Sequence, residues 1–509
     1  MLADSVLGKL YGFWLQSLIF RFLRAIYRPF ANAFKHSAII NFLARPSKVE
    51  QYFAASVIGC FIDWLWKWIL RILGAIVRFF ARLAETSVIV RLVKGSYICK
   101  FDFLLPAFIF VMFCAPHNLW SNSYAVLAVF GLFGIYLLLA AAGKREAPSP
   151  RLLGLPFLLF VMACFISLIF TTDLPDSLRI LMFFIAAFML LYMVSAELST
   201  VARLRSLMRW LYAAVMVTAA YAVVQRIMGV EVNASLTDLA LNEGVPGRVY
   251  STLDNSNNYA EFLVLFTPLC AAWAINLKDV RARFVFSCAL ALPMLALVMT
   301  YSRSGWLSFM LAVLVFVYYT DKRLIPVGFV ACLLLIPFLP DSVITRFSTI
   351  FNTADSSASY RIIVWRGVLL MLCDYGLTGI GLGPYTFDNV YPAYAMTEKA
   401  ALVAHSQMLY LDLIIELGAL GFVAFMWYMF RTMKDSAFAV CRCRNRAPEV
   451  RGAVLAGLAS CCGLAIFSFF EYIWFYPRIL FGSFILLGIM LGAMKLSRTD
   501  SEAMDIARQ

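Results

Sequence analysis

With only three histidines and 14% charged residues in 509, this chain has few places to do acid, base or phosphate chemistry. Arg303 is the first. It lies in Thr300-Tyr301-Ser302-Arg303-Ser304-Gly305-Trp306, after a dozen residues without charge. A guanidinium is a planar cation matched to two phosphate oxygens. Held in so short a hairpin, Arg303 can bind a phosphate or diphosphate, with Ser302 and Ser304 as nearby donors; the alternative is an anchor that snorkels to the membrane surface. Arg248, Arg361 and Arg366 extend the pattern. Arg361 and Trp365 are four apart and share a helical face, although a solvated face also accounts for Arg361 and Arg366.

His405 stands before an apolar block, with Asp412 seven residues on and Glu416 eleven residues on. At 100° per residue the three fall on one stripe, which must turn from lipid because ionisable groups are costly there. Such a histidine can accept a proton from a sugar hydroxyl near neutral pH; a polar seam that closes the helix bundle is the other reading of His405, Asp412 and Glu416. Together these residues suit the departure of a lipid-linked diphosphate, with the arginines stabilising its charge and His405 activating an acceptor hydroxyl. A diphosphate leaves as an anion, so cations can serve without a metal. Asp254, Asn255, Asn257 and Asn258 offer hydrogen bonds to a saccharide, or cap the next helix. Gly379-Ile380-Gly381-Leu382-Gly383-Pro384 has no nucleotide-loop spacing and fits a positioning turn better than an anion cradle.

The elements that position these residues must be membrane spans. Hydrophobic residues make up 63% of the chain, against roughly 45–50% in soluble domains. They cluster in blocks near the ~20 residues that cross hydrocarbon. The expected fold is an all-α polytopic transmembrane helix bundle with spans at about 98–116, 121–142, 152–170, 177–197, 209–228, 258–276, 283–301, 304–320, 324–340, 406–430, 452–470 and 477–494. That is about twelve, or thirteen with a crossing near 51–70.

Loop charge orients the bundle. If residue 98 is reached from the cytoplasm, the inside loops hold 17 Lys/Arg and the outside loops six, as the positive-inside rule requires. The loops 229–257, 301–304 and 341–404 then share the outer face. The last has 64 residues, too long for a plain connector, and an interfacial amphipathic helix is expected at about 358–373.

Residues 1–95 carry 13 Lys/Arg against four Asp/Glu, interleaved with aromatics. They read as cationic amphipathic helices on the cytoplasmic leaflet, with no cleavage site for a removed signal peptide. The chain divides into this segment, a first bundle part (96–340), the outer loop (341–404), a last bundle part (405–495) and a cytoplasmic tail (496–509). The net charge of +14 is confined to span ends and short loops, which fits headgroups rather than nucleic acid. Twelve scattered cysteines lack zinc-site spacing, and no metal or other cofactor is expected.

The segments Arg248 through Asn258, Tyr301 through Leu307, Ser359 through Trp365, Gly379 through Gly383, and His405 through Leu411 with Glu416-Leu417-Gly418 resemble, in order and separation, the O-antigen ligase and polysaccharide polymerase family. The resemblance covers roughly residues 100–495. It implies a metal-independent, inverting glycosyltransferase that takes a preassembled glycan from an undecaprenyl-pyrophosphate carrier at the outer face of the bacterial cytoplasmic membrane. The acceptor is lipid A core for a ligase, or another carrier-linked unit for a polymerase. The resemblance assigns Arg303 and Arg361, with Arg248, to the pyrophosphate and His405 to the acceptor. Arg366, Asp254, Asn258, Asp412 and Glu416 complete the expected substrate-binding set. Expected partners are the carrier-linked donor, the glycan or lipid-linked acceptor, membrane lipids and envelope-polysaccharide assembly proteins. A transporter or flippase of lipid-linked oligosaccharide is the competing reading, although clustering at one face argues against a midplane site. A noncatalytic assembly or sensor protein would leave the His405 stripe without a task.

Overall fold

The computed structural model describes residues 6–37, 48–84, 100–230, 247–253, 255–348, 356–443 and 448–506. Among them the protein is all helix, with no strand. Among the described residues nine helices are long and apolar enough to cross a membrane, or ten if the bent pair Val49–Ala55 and Val57–Phe79 is one span. The sequence count of twelve or thirteen is therefore too high. The three excess spans are Phe101–Cys114, Leu155–Ile169 and Leu324–Phe338, shorter apolar helices of 10–17 residues. Hydropathy cannot see where such helices stop. Gly154 at φ +97° delays the second until Leu155, and that helix then tightens into a 3-10 turn at Ser167–Ile169; the third loses its α form at Ile336–Phe338, around Pro337.

Ser256–Ile275, Pro448–Phe467 and Pro477–Arg498 are the most enclosed spans, while Asn122–Ala141, Val280–Met299 and Arg303–Asp321 leave most of their surface outward. Lipid is as apolar as leucine, so close packing rather than hydrophobic burial joins such helices. The small residues Ala453, Ala456, Ala459 and Ser460 allow that approach, and Ser460 Oγ donates to Leu265 O at 2.8 Å.

The helix expected over 406–430 runs from Leu409 to Arg442 and breaks at Gly418, where φ is +66° and ψ −176°. Carbonyls and amides freed by the break find partners in the loop that follows Tyr375. Ile380 N donates to Ile415 O at 2.8 Å, Gly381 N to Glu416 O at 3.2 Å, and Ala419 N to Leu377 O at 3.3 Å. Irregular backbone inside a span survives only when protein groups satisfy it in this way. Gly418 is required twice over, by its left-handed φ and because a Cβ there runs into the Leu377 carbonyl.

The loop helix spans Ser356–Tyr375, slightly longer than expected. Its Val364, Val368 and Met371 form a second small core with Ile380, Phe387, Tyr391, Val403 and Ile415. The loop is thus a folded cap seated on the broken helix. The last helix continues to Ile506, through most of the expected tail.

The N-terminal segment is docked at the opposite end of the bundle. Ser56 is extended and ends one helix while its Oγ accepts from Gly59 N at 3.1 Å to start the next, which bends the pair by 60°. Arg431 Nη1 lies 2.5 Å from Glu50 Oε1, Arg151 Nη1 lies 2.8 Å from Asp63 Oδ2, and Trp66 Nε1 donates to Ala147 O at 3.0 Å. Asp102, Arg145, Glu197 and Arg203 form an ion network at this same end, with contacts of 3.0–3.6 Å.

Candidate functional site

Loops at one end of the bundle bring together arginines separated by more than a hundred residues. Ser302 starts the helix Arg303–Asp321 by accepting from Gly305 N at 3.3 Å, and Trp306 Nε1 donates back to Leu297 O at 3.0 Å. The hairpin that carries Arg303 is closed by these bonds. Arg248 reaches the same hairpin, its Nε donating to Thr300 O at 2.8 Å and its Nη2 to Asn257 Oδ1 at 2.6 Å. Arg346, from the short helix Asp341–Ser348, donates through Nε to Tyr301 O at 3.3 Å and is 6% exposed.

Arg361 joins from the loop cap. Its Nε donates to Gln407 Oε1 at 3.1 Å, and its Nη2 lies 3.7 Å from Glu471 Oε2. Glu471 Oε2 also accepts from Asn257 Nδ2 at 2.9 Å. A continuous chain of contacts therefore links Gln407, Arg361, Glu471, Asn257, Arg248 and the Arg303 hairpin. The electrostatics agree: burial first, then Arg346 as a like charge, brings Arg248 down to about 9, opposed by Glu471 and reinforced by Arg303 and Arg361. Arg248 is still a cation at neutral pH. Burial raises Glu471 above the ordinary carboxylate range, while Arg361, Asn257 and Arg248 pull the other way.

His405 borders this cluster, packed on Phe475 and Tyr472 with ring centroids 4.5 and 5.7 Å away. Burial and the Arg361 charge lower its pKa to about 4, so the ring is neutral at pH 7. Its Nδ1 accepts from Gln407 N at 3.0 Å. A backbone N–H can meet only a lone pair, so the neutral ring carries its proton on Nε2. Trp365 Nε1 donates to Ser406 O at 3.0 Å, so the face shared by Arg361 and Trp365 grips the His405 loop at two points.

The carboxylates expected around His405 bond elsewhere. Asp412 Oδ1 accepts from Ser406 N at 2.8 Å, and Glu416 Oε2 accepts from Tyr472 OH at 2.8 Å. Both lie on the inward stripe, but they fasten the loops on either side of the ring. Asn255 Oδ1 accepts from the backbone of Asn257 and Asn258 at 2.9 and 3.0 Å, so it caps the helix Ser256–Ile275. Of the two following asparagines, Asn257 enters the chain of contacts through its side chain, while Asn258 is buried. Arg366 is exposed, five residues and about 140° around the helix from Arg361. Asp254 lies outside the described residues. The amides of Gly379, Ile380 and Gly381 donate to the Tyr375, Ile415 and Glu416 carbonyls, so these three hold the cap on the broken helix and are not offered to an anion.

Among the described residues, three non-glycine positions have positive φ: Ser251 (54°), Tyr301 (51°) and Gln407 (60°). Each sits in a different loop of the site. Left-handed backbone away from glycine costs about 1–3 kcal/mol and collects where surrounding structure enforces a functional geometry. Here Tyr301 aims its carbonyl at Arg346, and Gln407 aims its amide at His405 and its side chain at Arg361.

Residues 287–426 match the O-antigen ligase family. The match covers 140 of the 509 residues, and over that stretch the chain is similar to O-antigen ligases. No curated protein matches the chain. The O-antigen ligase stretch contains Arg303, Arg346, Arg361, His405, Gln407, Asp412 and Glu416; Arg248, Asn257 and Glu471 lie outside it, and the fold adds them to the same end. Sequence reading missed Arg346, Gln407 and Glu471. Arg346 was already visible as one of the six cations that break the inside bias. Glu471 is the lone charge in the turn between the last two spans, which is the signal that could have found it.

Proposed function

We propose that the protein is a metal-independent, inverting glycosyltransferase of O-antigen ligase type. It moves a preassembled glycan from an undecaprenyl-pyrophosphate carrier to an acceptor hydroxyl, as a ligase or a polymerase, in the bacterial cytoplasmic membrane with the arginine end outward. The observation that carries this reading is the convergence of four arginines: Arg248 and Arg346 bond the Thr300 and Tyr301 carbonyls beside Arg303, and Arg361 joins Arg248 through Glu471 and Asn257. Guanidiniums gathered at one bundle end favour a polyanion lying against them. A diphosphate at the membrane surface supplies that charge.

Catalysis then follows from charge development. As the bond from the anomeric carbon to the diphosphate oxygen breaks, the leaving group gains one negative charge. Guanidiniums already fixed by Thr300, Tyr301, Gln407 and Glu471 meet it without reorganising. The acceptor hydroxyl attacks the opposite face of the sugar, which inverts the anomeric centre. His405, which the family resemblance assigns to the acceptor, offers an Nε2–H donor beside the arginines.

The test uses purified protein in nanodiscs with a carrier-linked glycan and an acceptor. Carrier diphosphate is expected to be released together with a transferred or lengthened glycan, undiminished by a chelator and strongly reduced by Arg303→Ala. Glycan that crosses liposomes without covalent transfer would make the protein a transporter instead.

A further inference from the structure

The proton of the acceptor hydroxyl must go somewhere, and the geometry of His405 does not receive it. Its Nδ1 lone pair is held by Gln407 N at 3.0 Å, and the other ring nitrogen carries the hydrogen. The ring can donate a hydrogen bond but has no open lone pair. Asp412 and Glu416 accept from Ser406 N and Tyr472 OH, at 2.8 Å each, and at 1% and 5% exposure they are buried away from an incoming hydroxyl.

Glu471 differs from them. It stands in the turn between the spans Pro448–Phe467 and Pro477–Arg498, next in sequence to Tyr472, which packs on His405. Its contacts with Asn257 and Arg361 both fall on Oε2, and its side chain is 17% exposed. Two cations, Arg361 and Arg248, face it, as does the neutral amide of Asn257. Two acids, Glu261 and Asp412, lie within its electrostatic range.

We infer that Glu471 is the general base that accepts the proton of the acceptor hydroxyl, with His405 acting as a hydrogen-bond donor rather than a base. The inference rests on the proposed glycosyl transfer and names the group that completes it. The acceptor oxygen forms its bond to the anomeric carbon, and the carbon–oxygen bond to the diphosphate breaks with its electron pair on the diphosphate. The hydroxyl proton passes to a Glu471 carboxylate oxygen and then to water. One proton is released and one charge is added to the carrier diphosphate. A carboxylate whose basicity burial raises and two arginines restrain is a stronger base than a free one.

The test compares Glu471→Gln, Glu471→Asp, His405→Gln and wild type in nanodiscs. Binding of undecaprenyl diphosphate and single-turnover transfer across pH are both measured. Glu471→Gln keeps an acceptor for Asn257, so binding is expected within about threefold of wild type while transfer falls by about 10²–10⁴. Wild-type transfer is expected to rise with pH through an acid limb. That limb is expected to be absent from residual Glu471→Gln activity and displaced in Glu471→Asp, which also covers a misfolded amide variant. His405→Gln retains an N–H donor and is expected to keep transfer within about tenfold. Three outcomes overturn the inference: Glu471→Gln within tenfold of wild type, equal loss of binding and transfer in Glu471→Gln, or an acid limb that vanishes with His405→Gln. Absence of any transfer by wild type overturns the glycosyltransferase reading itself.

Discussion

Replacing Arg361 by alanine removes the cation that ties the loop cap to the centre of the site. Its side chain is 18% exposed, so solvent screens it only in part. At an effective dielectric of about 20, one charge about 4 Å from a phosphate oxygen contributes about 4 kcal/mol. Only the share that grows as the diphosphate departs affects kcat, and removal of one such donor typically lowers kcat by about 10²–10³. Arg361→Ala is therefore expected to slow single-turnover release of carrier diphosphate by that factor. Arg361→Lys keeps the charge but cannot also reach Gln407 as Nε does at 3.1 Å, so it is expected to recover only about tenfold of the loss. Arg366→Ala is the internal control: the side chain is exposed, and a change of less than about twofold is expected. Equal rates for Arg361→Ala and wild type, in stably folded protein, or equal losses from Arg361→Ala and Arg366→Ala, would refute the assignment of this cation to the leaving group.

Gly418→Ala places a methyl group against the Leu377 carbonyl in a left-handed residue; a thermal midpoint at least several degrees lower is expected, read by fluorescence in detergent, whereas an unchanged midpoint would mean that the break is not enforced by the cap. Asp412→Asn retains an oxygen for Ser406 N, so transfer within about threefold of wild type is expected, with Asp412→Ala losing about tenfold or more; an asparagine variant as inactive as the alanine would show that the charge, not the hydrogen bond, matters. His405 has a folded pKa lowered to about 4 from 6.5. The unfolded chain therefore binds the extra proton first, and stability is expected to fall as pH drops from about 7 toward 4. In His405→Gln the dependence of thermal midpoint on pH should be shallower over that window; an identical slope would place the titration elsewhere.

Much of the bundle could be read from hydropathy, because a run of apolar residues near the thickness of hydrocarbon has few alternatives to a spanning helix. The excess spans came from the same signal. It records how long an apolar block is, but not that Gly154 delays a helix or that Pro337 turns its end into a 3-10 segment. Arg303, Arg361 and His405 were legible as candidates because ionisable groups at span ends stand out against an uncharged background. Arg248 and Asn257 gained meaning only through Glu471 and the Thr300 carbonyl, which are distant in sequence. The alignment of Asp412 and Glu416 with His405 was legible too, but periodicity gives the face of a helix and not the partner of each oxygen.

The sequence by itself determined that this protein is a membrane bundle with a few costly charges gathered at loop residues, because lipid tolerates no other arrangement. Only the tertiary structure decided which charges meet. Guanidinium contacts extend a few ångströms, and whether Arg248, Arg346, Arg361 and Glu471 fall inside that reach depends on how three loops with left-handed residues and a broken helix pack at one end. The same holds for His405, whose free nitrogen is set by one backbone amide two residues away.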